Sequence, residues 1–236
     1  MMSIIFLLFI ELCYGFTGFT SFTDSNCRSS AISLVMKNKY DFNNPLVEAV
    51  SGFLSGPAAT VNDDLSTTNK KIGTRRKSSM KKLASDLFKA LNKDGWFVTG
   101  NVDYSFFSDN FNFKDPDVNV DGIEQYAVGV ASLFGPTAKA EIIDCIAIDN
   151  DTLIQVRWRC SGGVCIGPFT FNIKPYIIIT DLEVDQSTGL IESQLDKFTI
   201  PGYDIVLSAL FPFTRSFLSP EAKSIEILRE EYKDLK

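Results

Sequence analysis

Five segments decide the fold: AEIIDCIAI (140–148), LIQVRWRC (153–160), CIGPFTFNI (165–173), YIIITDLEV (176–184) and LIESQLDKFTI (190–200). In the second, Ile154, Val156, Trp158 and Cys160 share one face, while Gln155, Arg157 and Arg159 share the other. That period of two marks a strand with one buried side. The breaks between segments carry Asn-Asp, Gly-Gly, Lys-Pro and Ser-Thr-Gly, all turn-forming. The pattern predicts a meander of five antiparallel strands.

Upstream of Gly135-Pro136 the period is helical. Met80, Leu83, Ala84, Leu87, Phe88 and Leu91 form one apolar stripe, closed by Asn92 to Gly95. A short second helix is expected near 103–108, carrying Tyr104, Phe106 and Phe107. A brief strand with Phe111 and Phe113 then runs into Asp115-Pro116. Asp121 and Glu124 read as a capping box for a third helix with Ile123, Tyr126, Ala127, Val130, Ala131 and Phe134 on one stripe. Helices first and strands afterwards predict an α+β domain, with helices covering one face of a curved antiparallel sheet.

The chain has 236 residues, 45% of them apolar, enough for one sizeable core. Phe occurs 20 times, so the interior is aromatic-rich. His does not occur at all. Ser-His and Cys-His nucleophile pairs and His-ligated metal sites are therefore excluded, and no metal or cofactor is expected. Residues 1–80 carry a net +2 and residues 81–236 a net −8, within a total of −6. An acidic domain argues against nucleic acid as a partner. The run Lys70, Lys71, Arg75, Arg76, Lys77, Lys81, Lys82 is the exception and reads as a solvated linker or part of a leader. Cys145, Cys160 and Cys165 lie in the domain without C-x-x-C spacing. Cys160 and Cys165 flank an expected hairpin turn, so they either pair across it or serve as small buried apolar residues.

The stretch Tyr104-Ser-Phe-Phe-Ser-Asp-Asn-Phe-Asn-Phe-Lys-Asp115-Pro116, then Val120-Asp-Gly122-Ile-Glu-Gln-Tyr126, resembles the NTF2-like (SnoaL-like) superfamily. So does Gly189-Leu-Ile-Glu-Ser-Gln-Leu-Asp196-Lys-Phe198, and together the match spans about 80–200. It is similar in particular to plant and algal plastid members. The resemblance implies a cone with the N-terminal helices on the concave face of the sheet and an interior opening at the wide end. It does not imply one function, because the superfamily hosts isomerases, dehydratases, carriers and adaptors alike.

Asp115 is the candidate catalytic residue, since isomerase-type members place an Asp-Pro general base at the end of this segment. The alternative is that Asp115-Pro116 only makes a turn. The rest of that isomerase machinery is missing: its oxyanion-donating Tyr would fall near Leu87 and its protonated Asp near Thr180. Dehydratase-like members need a His where this chain has Gln194. Phe107, Phe111, Phe113, Tyr126, Trp158, Phe171, Tyr176 and Phe198 are core aromatics of which a subset is expected to line a pocket. Arg157, Arg159, Asp181, Gln194 and Asp196 are the polar candidates, either lining a pocket or forming ion pairs; the two arginines are expected to pair with Asp181, Glu183 or Asp196, or to clamp a ligand carboxylate.

Ile4 to Ile10 is an apolar run too short to span a bilayer but of signal-peptide length, and cleavage after Gly15 leaves Cys13 and Gly15 at −3 and −1. Glu11 and the lack of a preceding Lys or Arg depart from that pattern. The following Phe16-Thr17-Gly18-Phe19, with Ser and Thr to about 33, resembles the signal-plus-transit leaders of algae with secondary plastids. A plastid is the expected location, with secretion as the alternative. Four parts are expected: a signal at 1–15, a leader and linker at 16–79, the domain at 80–200, and an apolar extension with a helix at 201–236. Residues 202–218 are strongly apolar, interrupted by Pro212, and expected to plug the open end, cover the sheet or rest on a membrane. Ser219-Pro220-Glu221 reads as the cap of a last helix. The sequence thus favours a non-catalytic binding or assembly module for an apolar small molecule or a protein, with a homodimer implied by the resemblance. The alternatives are an isomerase- or dehydratase-like enzyme using Asp115, or a structural subunit of a complex.

Overall fold

The computed structural model describes residues 40–42 (backbone only), 72–116, 118–148, 152–166 and 169–233. The signal and the transit-like leader lie outside the described residues. Seven strands form one sheet in the order β1-β3-β2-β7-β6-β5-β4. They are β1 (Tyr40–Phe42), β2 (Phe107–Lys114), β3 (Val118–Asp121), β4 (Lys139–Ile148), β5 (Leu153–Ile166), β6 (Phe169–Val184) and β7 (Ile191–Phe198). The helices are α1 (Met80–Asp94), α2 (Trp96–Thr99), α3 (Ile123–Leu133), α4 (Gly202–Leu210) and α5 (Ile225–Lys233), with 3-10 turns at Tyr104–Phe106 and Pro212–Ser216. The fold is α+β, as the order of helical and strand periods predicts.

Helix α1 forms for the reasons its sequence states. The Ser79 hydroxyl accepts from the Lys82 N–H, and Gly95 closes the helix in the left-handed region at φ 57°. Met80, Leu83, Ala84, Leu87 and Leu91 are buried along one stripe. The stripe packs towards β4. The residues just before it are already on the domain: Gly73 donates to the Tyr104 carbonyl, and Arg75 pairs with Asp86 and lies 4.2 Å over the Phe106 ring. At least Arg75 of the basic run is therefore an anchor rather than solvated linker.

The sheet departs from the expected meander in three ways. First, it is mixed, because β2 and β7 pair in parallel. Second, 153–166 is a single strand. Gly162 pairs with Ile173 and Gly163 with Asn172 inside it, the register shift lies at Ser161 opposite Lys174-Pro175, and Gly162 (φ +99°) takes a backbone shape that accommodates the Thr137 carbonyl, which a Cβ would meet at 2.2 Å. Third, Lys174-Pro175 makes no turn, and β6 runs through it. The expected 103–108 helix is only one 3-10 turn, and α2 was not anticipated. The capping box is also replaced: Gly122 is the cap of α3 without a side-chain bond, and Asp121 accepts from Asn112 at 2.9 Å.

The C-terminal extension docks on its own domain. Helix α4 packs on β6, and its Ala209 joins the main core. Lys174 and Asp204 form an ion pair with both side chains essentially inaccessible. Ser219 completes this clasp: its carbonyl accepts from Lys174 Nζ at 2.7 Å and its N–H donates to Asp204 Oδ2 at 2.9 Å. Ser219 therefore pins the segment, while α5 starts later, at Ile225. Arg229 of α5 donates twice to the Ile142 carbonyl and Tyr232 lies under Arg157, fixing α5 beside β4 and β5. Asp204→Ala leaves Lys174 charged and unpaired inside, which is expected to cost about 3–5 kcal/mol in urea unfolding. The double change Lys174→Met with Asp204→Leu should recover most of that loss.

Candidate functional site

The inner face of β5, β6 and β7 is apolar except for a short polar row. In register, Val156 faces Thr180 and Thr180 faces Asp196. Because side chains alternate, Thr180 sits between inward Ile178 and Leu182, and Gln194 and Asp196 point the same way from β7. The row is wired in sequence. Trp158 Nε1 donates to Thr180 Oγ1 at 3.0 Å, and the Thr180 hydroxyl donates to Asp196 Oδ1 at 2.6 Å. Gln194 Nε2 donates to the same Oδ1 at 3.1 Å and to the Tyr126 hydroxyl at 3.2 Å. Polar groups removed from water need such partners, and here each supplies the next.

Burial governs the protonation of this cluster. It pushes the Asp196 carboxyl up to about 7; the Thr180 and Gln194 bonds pull it down, and the charges of Asp115 and Asp181 push it up. Burial likewise raises the phenols of Tyr126 and Tyr176, and takes the Cys160 thiol to about 12. Cys160 is a free thiol bonded to Tyr176 and does not pair with Cys165. The two lie five residues apart on one strand, about 16 Å, far beyond the reach of a disulfide.

The expected aromatic residues do come together. Phe107, Phe111, Tyr126, Trp158 and Tyr176 are buried, with Phe113, Phe171 and Phe198 packed against the same core. Phe97 stacks on Trp158 at 4.9 Å, Phe111 meets Phe107 at 4.9 Å and Tyr126 at 5.9 Å, and Phe113 meets Tyr126 at 4.9 Å. The rings occupy the interior and contact one another. Hollows of about 410 and 320 Å³ open elsewhere on the surface: one between α5 and the β6–β7 region, touching the cluster only at Tyr176, the other beside Ile72 and Gly122. Phe213 does not plug the interior, being 74% exposed.

Asp115 closes the β2–β3 turn, its Oδ1 accepting from the Val118 N–H at 2.7 Å. It is half-buried, and its charge is felt by both Asp196 and Tyr176, so it also faces the interior. The arginines lie on the opposite face of the sheet. Arg157 forms a bidentate pair with Asp144 at 2.8 and 2.6 Å, and Arg159 pairs with Glu141. The expected partners are engaged elsewhere: Asp181 holds Lys197 and Gln155, Glu183 accepts from Ser193, and Asp196 is inside. A register shift between Ile142 and Asp144 brings Asp144 opposite Arg157, which strand alternation alone does not reveal.

Sequence reasoning missed that Asp196 is the centre of an internal network and that Thr180 is its donor. The available signal was a polar residue placed on an otherwise apolar face: Thr180 between Ile178 and Leu182, and Asp196 two residues before Phe198.

No protein-family model matches the chain, and no curated protein does. Solved structures similar to it include a protein from Jannaschia sp. CCS1 put forward as a SnoaL-like polyketide cyclase, at 16% identity and a TM-score of 0.41, covering 57% of this chain and 96% of that one. Others are an NTF2-like protein from Anabaena variabilis (14%, 0.39, covering 55% and 98%) and an LEH-like epoxide hydrolase from M. tuberculosis (14%, 0.38, covering 58% and 94%). Likeness of this degree says nothing about reaction, ligand or partner.

The cluster generates a pH prediction. An unfolded Asp ionises near 3.9, while folded Asp196 ionises near 7. The folded state therefore holds a proton that the unfolded state has lost between those values. The stability associated with that proton is fully present below about pH 4 and is lost as pH rises through 7, on the order of 4 kcal/mol for this group. Asp196→Asn should remove this slope, measured by urea unfolding from pH 4 to 8, and should be the more stable chain at pH 8.

Proposed function

We propose that this domain is a non-catalytic assembly module that works through its surface and holds a protein partner, a second copy of the chain included. The observation that carries this reading is the ring packing of the interior: aromatic side chains contact one another there, and Thr180 and Gln194 donate to Asp196 Oδ1. A reacting molecule needs room beside a base with an available lone pair. The absence of His removes the most common base. On this reading the Asp196 network specifies how β5, β6 and β7 align, and Asp115 makes its turn. The leader at 1–35 supports a plastid location. Residues 1–79 fused to a fluorescent protein should then accumulate in plastids of an alga with secondary plastids; retention in the secretory pathway would favour export.

The experiment that tests the proposed function is native mass spectrometry of the protein isolated from its own cells. The expected species is the chain with further polypeptide and no added small-molecule mass. A retained small molecule, released on unfolding, would overturn the reading.

One observation favours a second reading, an acid–base enzyme. The acid missing at Thr180 is found one strand away, at Asp196, hydrogen-bonded to Thr180 and close enough to sense the charge of Asp115. Two carboxyl groups facing one interior, one of them titrating near neutrality, can divide acid and base roles. This reading requires that Asp115→Asn abolish a turnover while leaving the unfolding free energy within about 0.5 kcal/mol of the parent. Under the assembly reading the variant still binds its partner.

A further inference from the structure

The cysteines do not balance within the domain. The chain has five: Cys13, Cys27, Cys145, Cys160 and Cys165. Cys145 and Cys160 keep their thiols, whereas Cys165 is disulfide-bonded. By elimination its bond runs to Cys13 or Cys27, both of which precede the domain and lie outside the described residues. The β5–β6 hairpin is thereby joined to the segment that reads as a leader.

The surroundings of the three domain cysteines account for the choice of Cys165. Cys160 is fully buried, burial takes its thiol to about 12, and it is bonded to Tyr176, so it offers neither a thiolate nor access. Cys145 lies within β4, paired in register with Val156. Cys165 is the last residue but one of β5, half-buried, with its Sγ 3.9 Å from Thr170 Oγ1 across the hairpin. A strand end leaves room for a chain arriving from outside the sheet. The hairpin stretch 161–173 contains no Lys, Arg, Asp or Glu, so it supplies no charge of its own to activate a thiol. A disulfide at such a place has the character of a structural link rather than an exchanging redox centre. A second observation also ties the chain ahead of residue 72 to the domain. Tyr40–Phe42 pairs with β3 as the edge strand of the sheet, although it falls within the stretch expected to be leader and linker.

We propose that Cys165 ties the N-terminal segment to the β5–β6 hairpin by a disulfide, and that this segment stays in the mature protein. Cys27 is the expected partner, because a cut after Gly15 removes Cys13. Two thiols become one disulfide and give up two electrons and two protons to a disulfide donor, an oxidised dithiol protein that is itself reduced to its dithiol. The tie is independent of the assembly role and of the Asp196 network. It requires that any cut beyond Gly15 fall before Cys27. The bond joins positions about 140 residues apart, and closing so long a loop restricts the unfolded chain.

The test is peptide mapping by mass spectrometry of the protein isolated from its own cells, alkylated under denaturing conditions without reduction. Cys145 and Cys160 should be alkylated, and the Cys165 peptide should appear only joined to the Cys27 peptide, the two separating on reduction. A link to Cys13 upholds the tie and shows that the signal stays on the chain. Cys165 alkylated without reduction would overturn the proposal, as would a mature chain that begins beyond Cys27. A second measurement reads the consequence of the tie. Dithiothreitol should lower the urea midpoint of the parent to that of C165S, and should leave C165S itself unmoved. The C13S/C27S double variant changes no residue of the domain and should match C165S. A parent midpoint that does not respond to reduction would overturn the anchoring role.

Discussion

Asp196 projects from the last strand of the sheet into a core made largely of aromatic rings, and a carboxyl group in that position carries a strong constraint. It must keep its proton or be met by donors, because a bare buried charge costs several kcal/mol. The protein does both: burial lifts the group to about 7, and Thr180 and Gln194 donate to one of its oxygens. Those donors are themselves placed by Trp158 and Tyr126. The row thereby links β5, β6, β7 and α3, and the strands must stay in register for every bond to be made. A one-residue slip of β7 would turn Asp196 outward and bring Lys197 inward.

The same row explains why the rings around it are packed together. Phe97 on Trp158 and Phe111 and Phe113 on Tyr126 hold the two outer members of the network in place. Outside the sheet a second, conventional set of charges pairs across strands: Arg157 with Asp144, Arg159 with Glu141, and Lys197 with Asp181. The two faces divide the charged groups, with ion pairs on the outer face and the hydrogen-bonded Asp196 row on the inner one. The C-terminal extension uses a third device, the Lys174–Asp204 clasp, to bury part of α4 while its outer side chains stay in water.

Much of this was legible in the residues because it is local. The stripe of α1, its Ser79 and Gly95 ends, and the inward set Ile154, Val156, Trp158 and Cys160 follow from periodicity. What was not legible depends on contacts distant in sequence. Gly162-Gly163 looks like a turn, yet both residues pair with β6 inside one strand, with Gly162 admitting the Thr137 carbonyl from far upstream. Lys174-Pro175 looks like a break, and only Asp204, thirty residues on, makes Lys174 a buried residue within a strand. The parallel pairing of β2 with β7 joins segments about eighty residues apart and leaves no short-range trace. At the candidate site, the aromatic set and Asp115 were anticipated as residues. Asp196 and Gln194 were anticipated as polar-pocket or ion-pair candidates, but the bonds that join them to Thr180, Trp158 and Tyr126 were not, since those partners lie on other strands and on α3.

The central claim is that the interior is closed to ligand-sized molecules. The chain has two Trp residues, and Trp96→Phe leaves Trp158, beside Thr180, as the only indole. Collisional quenching of its fluorescence by a small apolar quencher measures access to that interior directly. A closed core predicts that Trp158 stays largely unquenched until the protein unfolds; strong quenching of the folded protein would mean an open pocket around Asp196 and would contradict the account.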